Sequence, residues 1–304
     1  MSDTAKGLRV ALFAAFISGV SIFLNKFATA SLDHPLILPT IKNTLVGLFF
    51  TSFLIGSHQW QKIKSLKRKQ VGQLILIGVI GGALPFYLFF SGLAQIPAVN
   101  AAIIHKSLII WVTLLAMPLL KERLSKLQAA GVLALFAGNL WLGGFGGLTF
   151  SPGELMVLGA TLLWAIETIV AKKALKELDP QLLAAARMGL GSVVLIGISL
   201  ITAPAELIGF TELNSTQWAW IGLTSVSLAC YVYCWYFALK HASAISVSAV
   251  LVVATLITNL LSAIFITHTW NLTLTHQGCL LLAGTAIFVL PLVYRVNHRL
   301  SPKS

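Results

Sequence analysis

The chain has 304 residues, 57% of them hydrophobic and only 10% charged, with a mean hydropathy of +0.89. Soluble domains carry about 25% charged residues, so this surface could not be wetted all round, and the solvent has to be mostly lipid. The net charge of +12 would suit nucleic acid, but the densest basic cluster, "KIKSLKRKQ" (62–70), lies between apolar runs without interleaved aromatics. That is the composition of a cytoplasmic loop, and no nucleic-acid partner is expected.

A membrane-crossing helix needs about 20 mostly apolar residues. In chain order that window predicts spans at 8–30, 36–57, 71–93, 98–119, 127–145, 153–174, 181–203, 215–238, 244–266 and 275–294. The fold class expected is an all-α membrane protein of ten transmembrane helices. The first span follows Lys6 and Arg9, as a signal peptide would, but its apolar part is long and lacks a cleavage signal, so it is read as a helix of the mature protein. Connections are short, and none is large enough to fold alone. Cys230, Cys234 and Cys279 fall inside spans without charged metal partners, which makes them packing residues. Phosphate loops, HExxH and CxxC are absent, so no cofactor, metal or ATP hydrolysis is expected. The triplets "NST" (214–216) and "NLT" (271–273) match the glycosylation pattern at the level chance provides.

Alternate connections can be compared for Lys and Arg. With both termini in the cytoplasm, 17 cations fall on the cytoplasmic side and none opposite, where Asp33, Glu206 and Glu212 lie. This predicts a multi-pass protein of the cytoplasmic membrane with both termini inside. The chain also repeats itself at a period of about 146 residues. "FSGLAQIPAVNAAII" (90–104) lies over "YFALKHASAISVSAV" (236–250), and "HPLILPTIK" (34–42) resembles "DPQLLAAAR" (179–187). The expected halves are 1–148 and 149–304. Five spans per half force opposite orientations, and inverted repeats of this kind hold a site near the midplane and permit alternating access.

Two longer stretches carry a family resemblance. "PLLKERLSKLQAAGVLALFAGNLWL" (118–142) and "LLWAIETIVAKKALKELDPQLLAAARMGLGSVV" (162–194) resemble EamA-type transporters of the drug/metabolite transporter (DMT) superfamily. In the first, Glu122 and Arg123 match a Gly-Glu-Arg pattern, with Lys121 in place of glycine. In the second, Trp164, Pro180 and Arg187 fall where that pattern expects them. The first repeat departs from the pattern, with Lys42 where arginine is usual and no tryptophan in its first span; in the second, "THTW" (267–270) stands where the first has "KERL". The resemblance implies two inverted five-helix halves, export or exchange of small metabolites, and a cavity lined by helices 1, 3, 4, 6, 8 and 9.

Ionisable side chains inside a span are costly and face protein or water. Lys106, near mid-depth in span four, is the leading site candidate. The stripe containing it holds Val99, Ile103, Ile110, Thr113 and Met117, flanked by Asn100, Ser107 and Trp111. His105 is a candidate ligand or proton carrier at the edge of that stripe, or a packed core histidine. Glu167 is the one carboxylate deep in a span, within reach of Lys106 if both side chains extend, and the two are read as a pair that a substrate or a proton would open. Lys26 and Lys42 either snorkel outward or form an anion vestibule, whereas Arg187 reads as a structural cation near the inner end of span seven. Tyr87 and Tyr233, equivalent across the repeat, join Trp164 and Trp235 as cavity-wall candidates or interfacial aromatics.

These features together predict an alternating-access carrier of small organic solutes, amino-acid-like or anionic, with a proton or counter-solute as the coupling partner. An exporter of hydrophobic or cationic compounds is the alternative. A membrane-embedded enzyme using His105 and Glu167 is the reading of another class, and not the one expected. The partners expected are the solute and membrane lipids, with a homodimer left open.

Overall fold

Hydrocarbon cannot satisfy backbone polar groups, so a chain this apolar must close its hydrogen bonds within helices. The computed structural model describes residues 3–32, 35–57, 60–140, 147–208, 212–268, 276 and 278–288, and among these it is helical and without strands. Among the described residues, eight helices are long and apolar enough to cross a bilayer: α1 (Asp3–Ala30), α2 (Ile37–Gly56), α3 (Arg68–Leu93), α4 (Ala98–Leu120), α6 (Pro152–Ala174), α7 (Pro180–Thr202), α8 (Ser215–His241) and α9 (Ala244–Ile266). Two shorter apolar helices, α5 (Lys126–Leu140) and α10 (Gly278–Phe288), stand where spans five and ten are expected. The remaining parts of those two spans, 141–145, 275, 277 and 289–294, lie outside the described residues. So do Asp33, "NLT" (271–273) and the C-terminal cations Arg295, Arg299 and Lys303.

The repeats are interleaved rather than side by side. Helix α1 packs along α8 and α9 of the second half, and α6 packs along α3 and α4 of the first. One contact occurs twice at the 146-residue offset. Gly7 approaches Ala242 and the His241 backbone so closely that a Cβ would lie 2.8 Å from the Ala242 Cβ, and Gly153 meets Ile96 and Gln95 in the same way, at 2.7 and 2.9 Å. The repeated contact is the packing expected of two inverted copies.

Regular helix fails in specific places. Pro85 lacks the N–H that would bond to the Gly81 carbonyl, and α3 widens into a π-helical stretch over Gly78–Ala83 just before it. The Gly81 and Gly82 carbonyls are used elsewhere. Trp164 Nε1 of α6 donates to Gly81 at 3.1 Å, and Asn43 Nδ2 of α2 donates to Gly82 at 3.2 Å. A second π stretch, Ala186–Leu190 in α7, packs against the first, and a Cβ at Gly82 would fall on the Arg187 carbonyl.

Span four, expected as one continuous helix, is broken. Its Ala98–Lys106 and Leu108–Leu120 segments meet at Ser107, where Ile110 N–H bonds the Ser107 carbonyl at 2.9 Å in a tight i→i−3 turn. Helix α9 breaks at the matching place, Val252–Val253, with the same tight bonds from Val252, Val253 and Thr255. A single helical stripe through 99–117 is therefore interrupted at Ser107, since a 3₁₀ turn advances faster around the axis.

At the end of the bundle carrying Lys121, Lys172 and Lys240, hereafter the basic end, the halves are locked together. The Leu108–Leu120 segment packs on the Ala244–Leu251 segment of α9. Glu122, just past α4, accepts from Ala244 N–H at 2.7 Å and Ile245 N–H at 3.1 Å, capping α9 from the other repeat. Lys172 Nζ donates to the Leu239 and Ala242 carbonyls at 2.6 and 2.7 Å, closing the end of α8.

Candidate functional site

Helix α6 is started by Ser151, whose hydroxyl accepts from Glu154 N–H, followed by Pro152 in the first turn. Fifteen residues along, this helix carries Glu167, 1% exposed and pressed against Gly81, where a Cβ would come within 2.7 Å of the Glu167 Cγ. Tyr236 of α8 donates its hydroxyl to Glu167 Oε1 at 2.6 Å. Arg187, in the π stretch of α7, brings its Nη1 to 3.7 Å from Glu167 Oε2, and its guanidinium lies 5.9 Å from the centre of the Tyr236 ring. All three side chains are buried, and Arg187 Nε is buried without a hydrogen-bond partner among the described residues. A carboxylate and a guanidinium removed from water need each other, and the tyrosine satisfies a further carboxylate lone pair.

The expected pairing of Glu167 with Lys106 is replaced by this arrangement. Glu167 lies seven residues before the end of α6 and Arg187 seven after the start of α7, about 10 Å from the basic end in both cases. Lys106 lies 14 residues before Leu120, about 21 Å from that end. Depth therefore joins Glu167 to Arg187. Arg187, read from sequence as a structural cation near the inner end of span seven, is only 6% exposed, held inward on a π turn packed against α3.

Next to this centre lies an aromatic cluster. The His105 ring is 5.0 Å from Trp164 and 5.3 Å from Phe89, and Trp164 stands edge-on to Phe86 at 5.5 Å. His105 Nδ1 is buried and has no partner among the described residues. Trp164, three residues from Glu167 on α6, donates to Gly81, the glycine that Glu167 packs on, so the aromatic cluster and the charged centre are continuous. His105 and Glu167 are not joined as an acid–base pair. The oxygens of Glu167 face Tyr236 and Arg187, while the ring neighbours of His105 are Trp164 and Phe89.

The other sequence candidates are dispersed. Lys106 is half-buried at the break in α4, and no acidic oxygen lies within ion-pair distance of it among the described residues. Ser107 and Trp111 bond to one another, with Trp111 Nε1 donating to Ser107 Oγ at 3.0 Å. Asn100 is part of a tie at the opposite end, donating to Glu154 Oε1 at 2.8 Å and to the Gly147 carbonyl at 3.0 Å. Tyr87 is half-buried against Phe86 and its neighbours, and Trp235 is buried and stacked on Tyr231. Tyr233 is 36% exposed on the outside of the bundle, in a lateral groove. Lys26 is exposed, whereas Lys42 is 2% exposed and donates to Asn25 Oδ1 at 3.2 Å instead of snorkelling.

Tyr236, Asn25 and the pairing of Arg187 with Glu167 were missed by sequence reasoning. For Arg187 the signal existed, because counting residues from the basic end puts it level with Glu167. Tyr236 was hidden among the aromatics of "CYVYCWYF" (230–237), where only rotation about α8 separates it from Tyr233.

Two inverted helical repeats, interleaved around a buried charged centre, define a multi-pass membrane protein built on the plan of a secondary transporter. The chain belongs to the EamA-like transporter family, which it matches twice, over residues 5–144 and 151–290. Among similar proteins are an uncharacterized transporter of Methanothermobacter thermautotrophicus, 21% identical over 90% of this chain and 83% of that one, and the uncharacterized transporter YvbV of Bacillus subtilis, 27% identical over 92% and 90%. A solved crystal structure aligns with a TM-score of 0.78 at 16% identity, covering 94% of this chain and 98% of its own, and so shares the fold. The protein is thus a transporter of the DMT superfamily.

Proposed function

We propose that this transporter moves small amino-acid-like solutes across the cytoplasmic membrane by alternating access, in export or exchange, with both termini in the cytoplasm. The observation that carries the reading is the Glu167–Arg187 pair, at 3.7 Å with a buried Arg187 Nε left over. A solute carboxylate replaces Glu167 as the partner of Arg187, in the bidentate geometry a guanidinium favours. The solute ammonium takes the place of Arg187 beside Glu167. The exchange keeps both protein charges paired when loaded and when empty, which lowers the cost of holding them in a dry interior. Phe89, Trp164 and His105 supply an apolar wall for the body of the solute. Lys106, at the break in α4, is a second attraction for anions entering from the opposite end. The lock of Glu122 on α9 closes the basic end, so opening there requires that contact to break.

The aromatic cluster favours one other reading, a carrier of hydrophobic or cationic compounds that uses Glu167 alone. Counterflow of a pooled metabolite set into proteoliposomes separates the readings. Zwitterionic and carboxylate solutes should accumulate, and exclusive movement of lipophilic cations would favour the alternative. Product formation without solute movement would contradict both.

A further inference from the structure

The two ends of the bundle are not closed alike. At the basic end α6, the Leu108–Leu120 segment of α4, the Ala244–Leu251 segment of α9 and α1 pack in succession. At the opposite end α6 packs on Ala98–Lys106 and α1 packs on Ala254–Ser262, but those two segments are not packed on one another in the same way. Burial differs accordingly at equivalent positions of the repeat. Ala244 is fully buried and Ala98 is exposed. Ala116 is fully buried and its equivalent, Ser262, is half-buried. Between α4 and α9 the bundle is therefore shut at the basic end and parted at the other.

Inverted halves that exchange conformations, as alternating access requires, would bring Ala98–Lys106 onto the far part of α9 and free Leu108–Leu120 from its near part. The breaks at Ser107 and Val252–Val253 are the points where both helices can bend. Identical halves would populate the two arrangements equally. These halves differ in what joins α4 to α9. The first N–H groups of a helix lack intrahelical partners and carry its positive end. At the basic end Glu122 offers a carboxylate to two of them, on Ala244 and Ile245. Their equivalents are Ala98 and Val99, and the segment those residues start has no side-chain cap. The stretch after α9, "THTW" (267–270), holds no carboxylate, and no Asp or Glu follows Glu212 in the chain. A charge-assisted hydrogen bond is about twice as strong as a neutral one. Closure at the basic end thus has a bond that closure at the opposite end cannot match.

We propose that Glu122 is a latch that sets the resting state of the carrier, so that the empty protein lies closed at the basic end and open at the other. The proposal rests on the alternating-access reading, but not on the solute assigned to the charged centre. The test is thiol accessibility in the full chain in detergent, with Cys230→Ser, Cys234→Ser and Cys279→Ser. One thiol is then placed at either of two equivalent positions, Ala116→Cys or Ser262→Cys, and its rate of reaction with a water-soluble maleimide is measured. The Ser262→Cys thiol should react quickly and the Ala116→Cys thiol slowly. Adding Glu122→Gln should speed Ala116→Cys about tenfold, as expected when a charged acceptor is lost, and should slow Ser262→Cys. Ala244→Pro should act in the same direction from the other partner. Proline is favoured at the first helical position, and it removes one of the two N–H groups that Glu122 holds. Unchanged rates in both variants would overturn the proposal. So would faster reaction at Ala116→Cys without slowing at Ser262→Cys, which is fraying of one end alone. Reciprocal shifts in a protein that moves no amino acid in counterflow would uphold the latch and discard the solute reading.

Discussion

At the scale of single residues, the account rests on Glu167, Arg187 and Tyr236. Removing one member of a buried ion pair leaves the other uncompensated, at a cost of about 3–5 kcal/mol. Arg187→Met should therefore be strongly destabilised in detergent-titration unfolding, and Arg187→Met combined with Glu167→Gln should recover most of the loss. Independent, additive costs would mean that the 3.7 Å separation carries no coupling. Hydropathy made these groups visible as charges within spans, and spacing gave their depth. It could not give their rotation once α7 widens into a π turn over Ala186–Leu190, which is why Lys106 stood first in the sequence and Arg187 stood apart.

Among helices and turns, the departures from regularity cluster where function is expected, and only some leave a mark in sequence. Pro85 is visible, but the π stretch it accompanies lies upstream, over Gly78–Ala83. The paired breaks at Ser107 and Val252–Val253 involve neither glycine nor proline and were not legible. Lys121 is a different case, since it ends α4 in the left-handed region at φ 57°, where the family resemblance expects glycine. A side chain there costs about 1 kcal/mol, so Lys121→Gly should raise the unfolding midpoint, and Lys121→Val should lower it. A fall in Lys121→Gly would mean that the lysine side chain holds the turn in some other way.

For the whole molecule, the 146-residue period foretold the architecture well because duplication preserves packing as well as sequence. Gly7 against Ala242 and Gly153 against Ile96 are one contact made twice. Gly7→Leu and Gly153→Leu should accordingly be destabilised by similar amounts, about 1–3 kcal/mol as for other overpacked sites, and clearly unequal losses would argue against equivalent halves. Lys42 and Arg187 correspond across the repeat, but Glu167 has no acidic counterpart, Ser21 standing at the equivalent position, and that asymmetry locates the transport claim in the Glu167–Arg187 pair. The most direct test is counterflow in proteoliposomes, comparing an amino acid that the wild type transports with the same carboxylate lacking its amine. Glu167→Gln should lose the amino acid by about tenfold or more, as expected when a charged partner is removed, while retaining the carboxylate through Arg187. Unchanged preference in Glu167→Gln, with Lys106→Gln abolishing both solutes, would contradict the account and return the site to the break in α4.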